Sequence, residues 1–597
     1  MDMPSICREP ASLSAFMNSL AREWSHAQWL EPGTLTLKSH EALALPAGAL
    51  RLPMTQPAGA LVVPVRHRSA AGRHRFTGAV WFAPRDGEAF EIDFAQAASM
   101  LAAEPTLRPG ATLDQRRVFL RRVLDSAGTV LRAQAQRRDD LLRLAWPDAD
   151  YLDAEQALVH GHAVHPTPKS RDEFSDEDLA RYSPELAGRT PLCWFALRDR
   201  ALWRTDVGVE CADGQIAMLV AADPAVATAL AGFRREDGWF CLPVHPWQAR
   251  ALRSTPAYAH WLRQGDLVDL GELGLPWFPT SSLRTMYAPH APSMLKFSLS
   301  VRLTNSRRVL QPAEVARGRQ IHDAFASAQG QALQLECPTL RILHETAALA
   351  LADVDGQPVP ESFVILRDNP FVPGNHAYVL ATFCQDGIDG MPSMASRLIT
   401  ELARRRGRDR GAVAIDWFER FVQTVVRPFL LAHGNHGFLF SAHAQNTVVA
   451  IEAGWPAGVW FRDCQGTTFH AETIAALSAS VPGIDAASGL SFDEAMTERL
   501  LGYYLIVNNV FSLVATLGAD GVIDEAILLS RLRDALLELR AGPLRHPHFI
   551  DYLLSSPVLW SKGNFMICFG DVDETTRPEA SFGSYVAMAN PLLAVAA

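Results

Sequence analysis

Apolar positions recur every three or four residues towards the two ends of this chain and alternate through much of its middle, and those two periods predict helices and strands respectively. Near the start, Leu13, Phe16, Met17, Leu20 and Trp24 fall on one helical face. Alternating, β-rich segments follow at 60–67 and 75–82. A long helix is expected over 114–144, with Phe119, Val123, Leu124, Val130 and Leu131 as its apolar stripe, until Pro147 breaks the pattern. Strands are expected at 192–197, 216–220, 239–244, 295–303, 362–366 and 377–383, punctuated by Gly and Pro. From about 391 the helical period returns, at 395–405, 416–432, 492–517 and 524–540. A chain of 597 residues exceeds one core, so roughly two to four domains are expected. The pattern divides it into 1–150, a β-rich 151–390 and a mainly helical 391–597, an α+β fold.

One strand pair is lodged among the C-terminal helices. Residues 447–451 run out, Gly454 and Pro456 mark the turn, and 459–461 run back. Such a hairpin brings Asn446 and Asp463 to the same end. An amide oxygen beside a carboxylate suits Mg²⁺, which favours carboxylates plus substrate phosphates. Kinase-type nucleotide sites use an Asn and an Asp in this way. An Asn and an Asp flanking a hairpin also cap turns, so the hairpin alone leaves both readings open.

Composition narrows the field. Hydrophobic residues are 48% and charged residues 20%, ordinary for a globular protein and against dominant disorder. The net charge of -10 gives no global basic field for nucleic acid. Local basic runs at 116–122 and 404–410 read as solvated helix faces or loops. The eight cysteines are scattered with no CxxC, which argues for free thiols in a reducing compartment and against a disulfide frame or a cysteine-based zinc site. The N-terminus shows no basic-then-apolar leader, and no apolar run approaches the roughly 18–20 residues of a membrane span. The expectation is a soluble cytoplasmic protein with neither nucleic acid nor membrane as partner.

Four polar constellations stand out. In HGHAVHPTPKSR, His160, His162, His165, Lys169 and Arg171 lie within a dozen residues on a loop stiffened by Pro166 and Pro168. Cations beside imidazoles suit phosphate or carboxylate; a plain surface loop and a histidine-based zinc site are the other readings, and no HExxH accompanies them. VHPWQ, 244–248, is weak alone, because an embedded Trp is usually packing. PTSSLRTM, 279–286, places hydroxyls and a guanidinium in one short segment, as a phosphate chain requires, although a Ser/Thr-rich turn looks the same. In LKFSLSVRLTNSRR, alternation puts Lys296, Ser298, Ser300 and Arg302 on one strand face, either the wall of an anion site or a solvent-facing side. No Walker-type or GxGxxG loop appears, so phosphates would be held by side chains; no GxSxG elbow appears either.

Taken in this order, GHAVHPTPKSR, VHPWQ, TSSLRTM, KFSLSVRLTNSRR, AHAQN, RDCQG and KGNFMICF resemble the siderophore synthetases that work without a nonribosomal peptide synthetase, the IucA/IucC (aerobactin synthetase) family. The resemblance spans about 155–570; residues 1–150 match only in general character. It implies a cupped-hand architecture with an N-terminal thumb, β-rich fingers and a largely helical palm, commonly a homodimer. It implies an ATP-dependent ligase that adenylates citrate or a citrate-derived acid and passes the acyl group to an amine or hydroxyl. Carried over by motif, Ser282, Arg284 and Thr285 would contact the nucleotide phosphates, with His165 and Lys169 on the triphosphate side. Lys296 and Arg308 would neutralise the phosphate and the reacting carboxylate. His443 and Gln445 would face the carboxylate and adenylate, Gln465 the substrate, and Asn446 and Asp463 would serve Mg²⁺. One departure is visible: members often carry Glu two residues before the His of AHxQN, and here that residue is Ser441. Two alternatives are a His-based metal-dependent hydrolase, and a nucleotide- or carboxylate-binding protein without turnover.

Overall fold

The helix Pro10–Glu23 buries the face that its sequence marks out: Leu13, Phe16, Met17 and Leu20 are at most 1% exposed. It packs beside an antiparallel sheet ordered Gln28–Leu30, Ala49–Thr55, Ala58–His67, Val80–Pro84, Phe90–Ile92. The helix Leu113–Gln136 covers them, its first turn closed by a reciprocal bond between Thr112 and Gln115, and Arg137 separates it from a short helix Arg138–Arg143. Phe565, Cys568 and Phe569, from the far end of the chain, complete this core. Phe569 stacks on Phe119 with ring centroids 4.4 Å apart. This computed structural model describes residues 10–36, 42–206, 211–574 and 583–595.

The middle of the chain builds an eight-stranded antiparallel sheet. Its order is Leu202–Asp206, Glu345–Leu351, Val364–Asp368, Ser293–Phe297, Thr285–Tyr287, Leu267–Pro279, Thr190–Arg198, Trp239–Val244. Two expected strands change character here. Residues 216–220 belong to a helix, Ala212–Ala221, whose buried positions Ala212, Gln215, Ile216 and Leu219 follow the helical spacing. The expected strand at 377–383 is a strand only over Ala377–Val379 and then turns helical over Leu380–Phe383. The expected strand at 295–303 is broken at Ser298, whose N–H donates to Phe363 O at 2.8 Å and whose hydroxyl donates to Pro360 O at 2.6 Å. Ser293–Phe297 is buried on both faces within the large sheet, whereas Leu299–Leu303 pairs only with Ser306–Arg308. Lys296 and Arg302 therefore do not share one face: Arg302 turns to Asp571 at 2.9 Å.

The last third is mainly helical and forms most of the largest core. Two of its helices contain π-helical stretches, Val422–Val426 and Gly502–Val510, the kind of local widening that often marks functional sites. The helical run Glu494–Ala519 is long and apolar enough to cross a membrane, but most of it is buried inside the protein. The hairpin forms, Thr447–Glu452 pairing with Trp455–Phe461, but its turn lies at Ala453 and Gly454: Pro456, expected in the turn, pairs with Ile451 inside the returning strand, which starts earlier than 459. It sits in a four-stranded sheet between Ala377–Val379 and the parallel neighbour Leu340–Ile342.

Candidate active site

The pairing of Thr447 with Phe461 leaves Asn446 and Asp463 side by side just beyond the hairpin. Asn446 Nδ2 donates to Asp463 Oδ2 at 3.2 Å. The other oxygen, Asp463 Oδ1, is buried without a hydrogen bond, with Lys296 Nζ 3.6 Å away. Burial alone would raise this carboxyl; Lys296, Arg284 and Arg367 outweigh it and hold the group below the usual carboxylate range. An ionised, buried oxygen with no donor is what a hard divalent cation uses, so these two residues fit Mg²⁺.

Behind Asp463 stands a fully buried charge cluster. Lys296 Nζ donates to Glu345 Oε1 at 2.8 Å, and Arg367 Nη2 to the same oxygen at 2.6 Å. With its amide oriented to satisfy both neighbours, Gln465 accepts from Lys296 Nζ at 3.1 Å and donates to Glu314 Oε1 at 3.0 Å. A second cluster joins the hairpin to the Ser/Thr loop. Arg462 donates to Glu155 Oε1 at 2.5 Å, to Ser281 Oγ at 2.9 Å and to Gln445 O at 2.7 Å. Gln445 Nε2 donates to Ser281 O at 2.8 Å, and Glu155 Oε2 accepts from Ser281 N at 2.8 Å. These bonds fix the loop that carries Ser282 and Arg284. Ser282 Oγ accepts from Thr285 N at 3.3 Å.

Arg284 and Arg308 lie against each other, and among the described residues neither forms an ion pair. Arg284 Nη1 donates to Arg308 O at 3.5 Å, and Arg308 Nη2 to Leu303 O and Thr304 Oγ1 at 3.5 and 3.3 Å. Burial and the neighbouring Arg284 pull Arg308 down to about 10. Three non-glycine residues with left-handed backbone frame this same spot: Leu283 (φ 67°), Thr304 (φ 54°) and Asp463 (φ 84°). Each such residue costs on the order of 1–3 kcal/mol, and such strain gathers at functional sites.

The histidines share one device. His162, His165 and His443 each accept on Nδ1 from the backbone N–H two residues on, at Val164, Thr167 and Gln445, over 3.0–3.2 Å. A neutral imidazole that accepts on Nδ1 must carry its proton on Nε2. Burial lowers His165 and His443 to about 4, and His162 falls well below its ordinary value for the same reason. His165, whose Nε2–H donates to Asn305 Oδ1 at 3.2 Å, and His443 are thus neutral donors, whereas His162 Nε2 also faces the amide Nδ2 of Asn508 at 3.0 Å. Lys169 lies on the same wall, but its ammonium is bound to buried Glu185 at 3.2 Å, as is Arg171.

All the expected residues border one cavity of about 660 Å³, and among the described residues Lys and Arg number ten on its wall against four Asp and Glu. That excess stands out in a chain of net charge -10. Gly466 closes tightly on Ser441: a Cβ at Gly466 would lie 2.8 Å from Ser441 Cβ. VHPWQ is support, its His245 capping Pro246–Leu252 and its Gln248 donating to Ser300. The sequence reading missed Glu155, Glu345 and Arg367. Their only signal was a lone charge in an otherwise apolar segment, as in ETAALAL. The His-rich loop is no metal cage: among the described residues, no group of three or more His, Cys, Asp and Glu is placed to hold a metal ion.

Comparison with known proteins finds relatives and solved structures that match nearly the whole chain. The family described as IucA / IucC matches residues 150–385, and that described as Ferric iron reductase FhuF-like transporter matches 415–577. The rhizobactin siderophore biosynthesis protein RhbC of Rhizobium meliloti is 34% identical over 594 residues, 97% of either chain. The N(2)-citryl-N(6)-acetyl-N(6)-hydroxylysine synthase of Vibrio mimicus is 31% identical, covering 98% of this chain and 95% of its own. The structure of ATP-bound aerobactin synthetase IucA from Klebsiella pneumoniae superposes with a TM-score of 0.89 at 30% identity, over 98% of this chain and 99% of that one. A likeness of this extent, with the motifs converging on one cavity, makes the chain a member of the IucA/IucC family.

Proposed function

We propose that the protein is an ATP-dependent ligase of siderophore biosynthesis. A carboxylate of citrate, or of a citrate-derived acid, attacks the α-phosphorus of ATP; pyrophosphate leaves and an acyl-adenylate remains. An amine or hydroxyl then attacks the acyl carbon, and AMP departs with the electrons of the broken C–O bond. The observation that carries this reading is the meeting of Arg284, Lys296, Arg308, Asn446 and Asp463 on a wall short of negative charge. The relatives' citryl-ligase name supports the acid, and the ATP-bound neighbour supports the nucleotide.

The first step brings two anions together, and fixed positive charge lowers that barrier. Arg284 and Arg308, in no ion pair among the described residues, would supply that charge, with Ser282 and Thr285 contacting phosphate oxygens beside them. Lys296, anchored by Glu345, is held where phosphate and carboxylate approach. His165 and Lys169 border the triphosphate, Lys169 as a charge shared with Glu185. His443 offers its Nε2–H to the acyl oxygen, and Gln445 and Gln465 position the adenylate and the acid. Mg²⁺, held by Asn446 and Asp463, would supply further neutralisation of phosphate charge. No protein nucleophile is required.

We further propose that the enzyme works in the cytoplasm as a homodimer; the seven described cysteines are all free, which suits a reducing compartment. The test is pyrophosphate release by the purified chain with ATP, Mg²⁺ and citrate. Turnover that requires both ATP and a carboxylic acid supports the ligase. Hydrolysis without ATP, or binding without turnover, counts against it.

A further inference from the structure

A side pocket of about 290 Å³ adjoins the main cavity, and Ser441, Gln465, Gly466, Tyr504 and Glu574 line both. Its sides come from the paired strands Phe438–Phe440 and Thr467–Phe469 and from the helix Glu494–Leu501, which present Leu439, Phe440, Leu500 and Leu501. Into this apolar surround the helix Pro312–Ala326 brings one cation, Arg317. Its Nε is buried without a hydrogen bond, and among the described residues it forms no ion pair. The acid on the pocket wall, Glu574, is bound to Lys562 at 2.7 Å. Glu314, one turn before Arg317, is the carboxylate whose charge acts on it, yet burial outweighs that charge and lowers the guanidinium below its ordinary value. Both Glu314 oxygens are engaged elsewhere: Oε1 accepts from Gln465 and Oε2 from Gln311 N, each at 3.0 Å.

Gln465 ties the two spaces together. Its amide accepts from Lys296 Nζ at 3.1 Å on the reacting side and donates to Glu314 on the side of Arg317. Ser441 and Thr468 add hydroxyls to the pocket, and Ser441 stands two residues before His443. A half-buried cation among apolar side chains gains most from an anion that brings its own charge. A guanidinium fork matches the two oxygens of a carboxylate. A polycarboxylic acid poses the problem that such a cation solves. Its carboxylates are chemically alike, and the one that meets the α-phosphorus is selected by where the others are held.

We propose that the side pocket holds a carboxylate of the acid that is not activated, and that Arg317 is the specificity-determining residue that grips it. The proposal rests on the ligase reading above. The reacting carboxylate then lies under Lys296 and Arg308, a second one reaches past Gln465 to Arg317, and Ser441 and Thr468 offer it their hydroxyls. An acid with a single carboxylate leaves Arg317 unanswered and binds more weakly.

The test measures adenylation by the full chain with Mg-ATP, citrate and hydroxylamine as a minimal acceptor, read as pyrophosphate release. Arg317→Gln should raise the KM for citrate by about 10-fold or more, the scale of one charge-assisted pair, with kcat and the KM for ATP little changed. Arg317→Lys should retain part of the affinity. A merely structural residue would move all three constants together. Glutarate and butyrate, with two carboxylates and one, are then compared as competitors of citrate. Glutarate should compete at least about 10-fold better with the unaltered chain, and Arg317→Gln should erase that advantage. An unchanged citrate KM in Arg317→Gln, or butyrate as good a competitor as glutarate for the unaltered chain, overturns the proposal. The competitors decide even if the variants do not fold. No pyrophosphate release from the unaltered chain would sink the ligase reading and this one with it; release that ignores Arg317 sinks this one alone.

Discussion

Lys169 and Arg171 share the carboxylate of Glu185, each at 3.2 Å, whereas Arg284 and Arg308 face the same cavity and, among the described residues, form no ion pair. Both pairs arise from short polar motifs that look equally suited to an anion, HPTPKSR and TSSLRTM with NSRR. One motif brings its cations to a buried acid that folding supplies. The other leaves its cations without such a partner among the described residues, free for the anion proposed to arrive from outside. The first pair stabilises the protein and the second destabilises it until a ligand binds, which is the usual exchange of stability for activity at a site.

The largest expected break in this contrast is chemical. Arg308→Ala should lower citrate-dependent pyrophosphate release by about 10²–10³-fold, as for loss of a major electrostatic contact. Its thermal midpoint should hold or rise, because a repulsion with Arg284 disappears. Lys296→Ala should lose comparable activity. Near-normal turnover in both variants would remove the site from consideration.

Glu185→Ala should do the reverse of Arg308→Ala. It strands two buried cations, and removing one partner of a buried pair costs about 3–5 kcal/mol. Urea denaturation of the two variants side by side checks this; equal stabilities would erase the distinction. Asp463→Asn should raise the Mg²⁺ needed for half-maximal nucleotide binding by about 10-fold, read by titration calorimetry rather than turnover.

The smallest effect concerns pH. Burial would raise Glu185, but Lys169 and Arg171 outweigh it and hold it below its ordinary 4.5. The unfolded chain therefore takes up a proton first on acidification. The stability from Glu185 is fully present above that ordinary value and is lost as pH falls through the lower, folded one. The gap between the unaltered chain and Glu185→Gln should stay constant above about pH 4.5 and close below it. A gap that widens in acid would show that Glu185 is not paired as described.

How much of this could be read from the residues depended on distance along the chain. The hairpin and the Asn446–Asp463 pair were legible, because turn chemistry and alternation are local. So was the stripe of Pro10–Glu23. The partners that orient the cations were not: Glu345 lies 49 residues from Lys296, and Glu155 lies 307 from Arg462. Nothing in a linear pattern ties such pairs together. The helix Ala212–Ala221 was mistaken for a strand because IAMLV is apolar throughout; the period showed only once Ala212 and Gln215 were included. Ser298 broke an apparently regular strand by bonding to Pro360 and Phe363, more than 60 residues away.

The meeting of Pro10–Glu23 with Val558–Lys562 and Phe565–Phe569 bears on how the protein is born. Arg22 and Ser561 are 539 positions apart, yet both are needed to close one wall. A ribosome must release nearly the whole polypeptide before that wall can exist. The loops proposed to grip phosphate are made much earlier, so on that reading a half-synthesised chain would hold its cations in an open groove, unable to shield an activated acid from water. Synthesis order thus delays a competent chamber until the last segments emerge, and C-terminal truncations should squander adenylate to hydrolysis rather than merely turn over slowly.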